Sequence, residues 1–332
     1  MSRRPLPPEL LTGSFTAQAA DLAGVSRKRL RRPDIYVPSR GIRVPATLAA
    51  GDGGPAASLH AYSDLDEASV ITHHSGGAFW NVGLPGWLQE DWRVHVARRR
   101  DGSKPRRRNV VGHRLTFLPG EVVDVGGLRV TSPARTWLDL AALLSMDELV
   151  AAGDSIVVAH GPEFPVPRKP LATLGDLQRI VAAHPGMRGV RTARAALPDI
   201  RVGADSPQET KMRLILCRAG LGEPELNRIL RDTWGRALVW PDAAYPDRRV
   251  ALQYDGAHHA DPSQQTADER RRAVTEALGW KEIRVFKEDL DGDRPFVVEK
   301  VRAASGRPGP RERTLEAPNH ADSGPQVYVR AV

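Results

Sequence analysis

The chain has 332 residues, a formal net charge of +8 at pH 7 and a hydrophobic fraction of 41%. That length suits two or three domains of ordinary size, and that composition excludes a wholly disordered chain. The lone Cys217 excludes an internal disulfide framework and a multi-cysteine zinc site within one chain.

The first residues, MSRRPLPPELL, are basic and lack the apolar run of a signal peptide, so a cytoplasmic protein is expected. Nowhere do about 18 apolar residues run together, so no membrane partner is expected. Residues 15–32, FTAQAADLAGVSRKRLRR, read as a helix, a turn at Gly24 and a second helix with Ser26 as its N-cap. This is helix-turn-helix spacing, and the second helix carries Arg27, Lys28, Arg29, Arg31 and Arg32. Pro33 stops it. IYVPSRGIRVP then reads as a ribbon with a turn near 39–41, placed like the wing of a winged helix. Residues 1–50 are therefore expected to form a winged-helix-like module; the competing reading is a helical hairpin with a basic face.

Residues 50–66 are rich in Gly, Ala and Asp and read as a linker or loop. A small α+β domain is expected over 64–160: a helix near 75–82, a basic strand WRVHVARRR, an exposed loop, strands near 112–117 and 122–130, and a helix started by Ser132 and Pro133. Another helix starts near Met146. The strand and loop carry a second basic cluster: Arg98, Arg99, Arg100, Arg106, Arg107 and Arg108. His73 and His74 precede the first helix with no partner constellation around them, so capping or surface roles are expected.

The charge is unevenly spread. The first 120 residues hold 18 Lys+Arg against 10 Asp+Glu, and the rest are balanced at 30 against 30. Both basic clusters suit a polyanion, because each neutralised phosphate releases counterions, so DNA is the expected partner. A solvated surface face is the competing reading. Residues 161–204 are expected to be a linker and bridging helix: 160–182 are Pro-rich, and HPGMRGVRTARAAL has a basic face. The last 28 residues, 305–332, are polar and Pro/Gly-rich, which predicts a disordered tail.

The segment 205–304 carries the chemistry. Ser206, Pro207 and Glu209 start a helix with a cap, a first-turn proline and an acid three after the cap. Its face pairs Glu209 with Arg213. ELNRIL and ALVWPDAAYP read as two strands, and RRVALQYDG as a third. Alternation puts Gln253 and Asp255 on one side of that strand, where Asp242 on the neighbouring strand can point at them. A helix over 266–278 follows, on which Asp268 and Arg272 are expected to pair. WKEIRVF is a last strand, and 287–304 a last helix.

The order helix, three-strand meander, helix, strand, helix fits the PD-(D/E)xK nuclease core, with Pro241-Asp242 as its "PD". Hydrolysis of a phosphodiester with Mg²⁺ or Mn²⁺ needs a few hard oxygen ligands converging on one point. Asp242 and Asp255 could supply carboxylates, Gln253 a side-chain carbonyl, and Glu209 a direct or water-mediated contact. His258 or His259 could take a proton from the attacking water.

Residues 206–303 resemble the family of uncharacterised domains related to very-short-patch-repair endonucleases, through SPQET, AGL, the Asp242 strand, VALQYDGAHH, DERRRAVTEALGW and IRV. In that family the strand reads E-x-D-G-x-x-H, which implies functional positions at Glu209, Asp242, Gln253, Asp255 and His258. Two departures stand out. Gln253 replaces the usual Glu, and Asp255 occupies the place where the wider superfamily has Lys.

The amino-terminal part resembles the antitoxin-type regulators of abortive-infection toxin–antitoxin systems. The resemblance lies in the helix-turn-helix and ribbon, ITHHSGGAFWNVGLP and LRVTSPARTWLDLAALLSMDELVAAGDSIV. It implies operator-DNA binding and a partner toxin, although Pro33 shortens the recognition helix. The expected protein is thus multidomain, α/β and α+β. It joins a winged-helix-like module, an α+β middle domain and a restriction-endonuclease-like α/β domain.

Overall fold

The computed structural model describes residues 5–49, 59–64, 68–256 and 262–306. Of the expected tail, 305–332, Ser305 ends a helix and residues 307–332 lie outside the described residues, as do His258 and His259. Among the described residues, twelve α-helices and thirteen strands in four sheets make a mixed α/β chain. No described helix is long and apolar enough to cross a membrane. Contacts divide the chain into two units, 1–152 with 171–198, and 153–170 with 199–332.

The first unit opens with an antiparallel ribbon of three strands in which Ile42–Pro45 lies between Phe15–Thr16 and Ile35–Tyr36. The helix Ala17–Leu22 starts there because Thr16 Oγ1 accepts the Ala19 N–H at 3.0 Å. The expected second helix does not form; only a single 3₁₀ turn, Arg29–Arg31, stands in its place. Two local causes explain this. Arg32 is extended (ψ 152°), as the residue before a proline prefers, and Arg29 is drawn to Asp34 by two hydrogen bonds of 3.0 and 2.7 Å. Leu30 anchors the turn in a small core with Leu10, Phe15, Ala20, Val25 and Ile35. Arg27, Lys28, Arg31 and Arg32 remain exposed.

A five-stranded sheet follows, in the order Val110–Leu115, Val94–Arg99, Val70–Ile71, Leu128–Thr131, Val122–Val125. The first two strands run parallel, although only residues 100–109 join them. The connection therefore has to cross over the sheet, and it does so at Gly112. A Cβ there would meet the Pro105 carbonyl oxygen at 2.0 Å, so no side chain fits. The helix His73–Phe79 packs on Val94–Arg99, and on that helix packs Pro133–Leu140, capped by Ser132 and carrying the fully buried Trp137. The helix Leu174–Ala183, set by a Thr173–Asp176 capping box, falls where an irregular stretch was expected.

In the second unit the expected three-strand meander does not form: ALVWPDAAYP, read as one strand, breaks into two short strands that belong to different sheets, with Pro241, which has no N–H to donate, between them. Helix Pro207–Arg218 leads into a two-stranded ribbon of Leu230–Arg231 and Ala237–Val239. Ala243–Tyr245 then pairs antiparallel with Val250–Tyr254, which pairs parallel with Lys281–Val285 through the crossover helix Pro262–Ala277. The last helix is split: a 3₁₀ turn Lys287–Leu290, then Phe296–Ser305. Gly292, in the left-handed region at φ 80°, and Pro295 separate them. The core joins Met212 and Leu216 of the first helix to Ala243, Leu252, Ile283, Val285 and Val301.

Candidate functional site

Glu209 is placed by its own helix start. Ser206 Oγ accepts the Glu209 N–H at 3.2 Å and donates to Glu209 Oε1 at 2.9 Å, while the Asp205 N–H donates to Oε2 at 2.8 Å. The helix is anchored one residue further on. Thr210 Oγ1 and Arg213 Nη2 each bond Asp154 Oδ2 at 2.9 Å, and Arg213 is fully buried instead of sharing an exposed face with Glu209. Asp154 lies more than fifty residues upstream, and no local pattern in the sequence announces it.

Asp242 arrives from strand register. The pairing of Ala243 with Leu252 sets position 242 opposite 253, and the Asp242 N–H donates to the Leu252 carbonyl at 3.1 Å. The Tyr254 N–H donates to Asp242 Oδ2 at 2.6 Å. Gln253 is buried with its Nε2 at 2.9 Å from both carboxylate oxygens of Asp242. Glu209, Asp242 and Gln253 are therefore brought to one place.

Burial pushes the Asp242 carboxyl up to about 7, against the opposing pull of the Tyr254 N–H and the Arg271 charge. Glu209 is held well above the carboxylate range, first by burial and then by the charge of Asp242. No Lys or Arg among the described residues bonds to either carboxylate.

Asp255 is committed elsewhere. Its Oδ2 is bonded by Arg284 Nη2, which also reaches Asp268 Oδ2 at 3.1 Å. The expected pair Asp268–Arg272 does not form. Asp268 takes Arg271, three residues on, at 2.8 Å, and Arg272 takes Glu276 at 2.9 Å. Arg271 is buried, because Glu282 on the next strand also faces it. Its charge is therefore kept from the surface.

The second basic cluster lines a cavity of about 630 Å³ in the first unit, walled by Arg98, Lys104, Arg106, Arg107 and Arg114 together with Tyr62. Arg99, Arg100 and Arg108 are exposed around it. The loop is tied to the ribbon by Arg107 on the Arg40 carbonyl and by Asn109 on the Pro38 carbonyl at 2.5 Å.

His73 and His74 are not on the surface. Both are buried, and the fold gathers His95 and His113 around them from the two parallel strands. The sequence carries no sign of this, since His95 and His113 stand alone on separate strands.

No family model matches the chain, and no solved structure matches it. Uncharacterized proteins from two strains of Mycobacterium tuberculosis are each 30% identical over 185 residues, covering 55% of this chain and 60% of the relative. The match thus spans less than two thirds of the length of these relatives.

Proposed function

We propose that the chain binds DNA and that its second unit hydrolyses phosphodiester bonds with Mg²⁺ or Mn²⁺. The observation that carries this reading is the Glu209–Asp242 pair. Burial raises the proton affinity of both carboxylates, and the charge of Asp242 raises that of Glu209 further, beside a buried glutamine and with no cationic side chain bonded to either. A divalent cation supplies the missing positive charge, and hard cations prefer such oxygen sets.

Asp242 and Glu209 would hold the ion through carboxylate oxygens and Gln253 through Oε1, once its amide turns by half a rotation. When bound, the ion polarises a phosphate oxygen and lowers the pKa of a bound water. The Tyr254 N–H holds Asp242 Oδ2 in place, and Ser206 with the Asp205 N–H holds Glu209, so neither carboxylate has to be ordered on binding. The exposed arginines around the basic cavity suit the phosphate backbone. Proton transfer by His258 remains a proposal from the sequence.

The untagged full chain is expected to nick or cleave plasmid DNA with Mg²⁺ or Mn²⁺, and Asp242→Asn and Glu209→Gln are each expected to abolish this. Cleavage that survives both changes sinks the assignment. A second reading is an antitoxin-type regulator, with a partner toxin, that keeps the nuclease fold without its chemistry. It is favoured by Asp255, which is already satisfied by Arg284, and by a Gln253 amide closed on Asp242. Under it the wild-type chain retains DNA, cleaves none, and takes up no divalent ion in the second unit.

A further inference from the structure

Four of the ten histidines meet in one pocket of the first unit. His73 stacks on His113 at 3.9 Å between ring centres, His95 lies 4.8 Å from His113, and His74 lies 4.2 Å from His95. One ring nitrogen from each of His73, His95 and His113 lies within 4.8 Å of the other two. We infer that His73, His95 and His113 bind a borderline-soft divalent transition metal, with Zn²⁺ the fitting ion.

Three features of the pocket carry this. The first is the second shell. Thr72 Oγ1 gives its hydrogen to Asp139 Oδ2 at 2.5 Å, so toward His73 Nδ1, 3.2 Å away, it can only accept. That fixes the proton on Nδ1 and leaves Nε2 as the lone-pair nitrogen. Arg135 in turn holds Asp139 at 2.9 Å, giving a carboxylate–hydroxyl–imidazole relay of the kind that orients metal-bound histidines.

The second is spacing. His113 Nε2 and His95 Nδ1 share a hydrogen bond of 3.2 Å, close to the edge of about 3.3 Å that two nitrogens occupy on a tetrahedral ion with bonds of about 2.0–2.1 Å, so an ion would take the place of the shared proton with little movement of either ring. His73 has to close in by up to about 1.5 Å to complete the set. His113 is only partly buried and gives an ion a way in.

The third is strain. His73 sits at φ 51°, in the left-handed region that a bulky residue rarely adopts, and the fold holds it there.

A second grouping, His74, Asp91 and His95, is also close. It is the poorer ligand set. Both Asp91 oxygens are bonded by Arg93, so that carboxylate is already satisfied by a fixed cation. His74 Nδ1 is buried without a hydrogen-bond partner.

The site is independent of the proposed nuclease centre, and its test does not involve cleavage. The untagged full chain carrying His258→Ala and His259→Ala is stripped with chelator and titrated with Zn²⁺. One ion per chain is expected, with the melting midpoint raised by roughly 5–10 °C at saturating metal. Binding is expected to vanish in His95→Asn and His113→Asn and to persist in Asp242→Asn. Absence of stoichiometric binding, or equal binding in the histidine variants, overturns the site. Should those variants not fold, Co²⁺ titration of the same stripped chain decides. Saturable visible bands of a four-coordinate ion support the site, and a six-coordinate aqueous spectrum overturns it.

Discussion

The carboxylate pocket of the second unit and the histidine pocket of the first bury titratable groups with opposite consequences. In the first unit burial holds His95 down to about 3 and His113 down to about 4, with neighbouring imidazoles adding to the effect. In the second, burial pushes Asp242 up to about 7. Each unit thus prefers its buried groups uncharged. The difference lies in the donors. Three imidazoles suit a borderline-soft ion, whereas two carboxylates and an amide suit a hard one.

The largest effect expected from breaking this contrast is on cleavage. Asp242→Asn should lower the Mg²⁺-dependent rate by at least about 100-fold, since several kcal/mol of transition-state stabilisation pass through the bound ion. The same change should leave Zn²⁺ uptake intact, as measured by bound-metal analysis. Next come the buried ion pairs that support each pocket. Arg135→Met in the first unit and Arg213→Met in the second should each cost about 3–5 kcal/mol in denaturant unfolding, because each strands a buried aspartate.

The pH responses should then run in opposite directions in metal-free protein. Neutral histidines with depressed folded pKa values stabilise the first unit above the unfolded value of about 6.5. That stability is lost as pH falls from there toward about 4 and below. A carboxyl with a raised folded pKa does the reverse. Its ionised form costs stability progressively as pH rises from about 4, and the cost levels off above about 7. Hydrogen exchange read separately on peptides of each unit checks both slopes; parallel slopes would falsify the contrast.

Gln253→Glu should tighten Mn²⁺ binding by roughly tenfold through added ligand charge, while lowering metal-free stability through repulsion from Asp242. Titration calorimetry and a chelator-treated melt separate the two effects. The smallest effects belong to the basic cavity. Arg106→Gln and Arg107→Gln should each reduce the salt-dependence slope of DNA binding by about 1, without changing sequence preference.

Local signals carried much of the second unit. Ser206 and Glu209 announce their helix start, and the alternation Val250, Leu252, Tyr254 predicts the buried strand face that Leu252 and Val250 form. The spacing of elements also predicts the crossover helix and final strand, but not the break at Pro241 that puts Ala237–Val239 and Ala243–Tyr245 in different sheets. The amino-terminal reading failed where two local rules met. A basic run that looks helical by composition is held to one 3₁₀ turn by Pro33 and by the Arg29–Asp34 pair.

Composition, periodicity and capping determined the class of chain, most of its elements and the identity of Glu209, Asp242 and Gln253 as candidates. Only the tertiary structure decided which donors meet. It closed Gln253 on Asp242 and drew Asp255 away to Arg284. It also gathered His73, His95 and His113 from a helix and two strands. The physical reason is the reach of each force. Propensity and capping act over a few neighbouring residues and so are written in order along the chain. Coordination and ion pairing act wherever strand register and a crossing loop bring side chains within a few ångströms, whatever their distance in sequence.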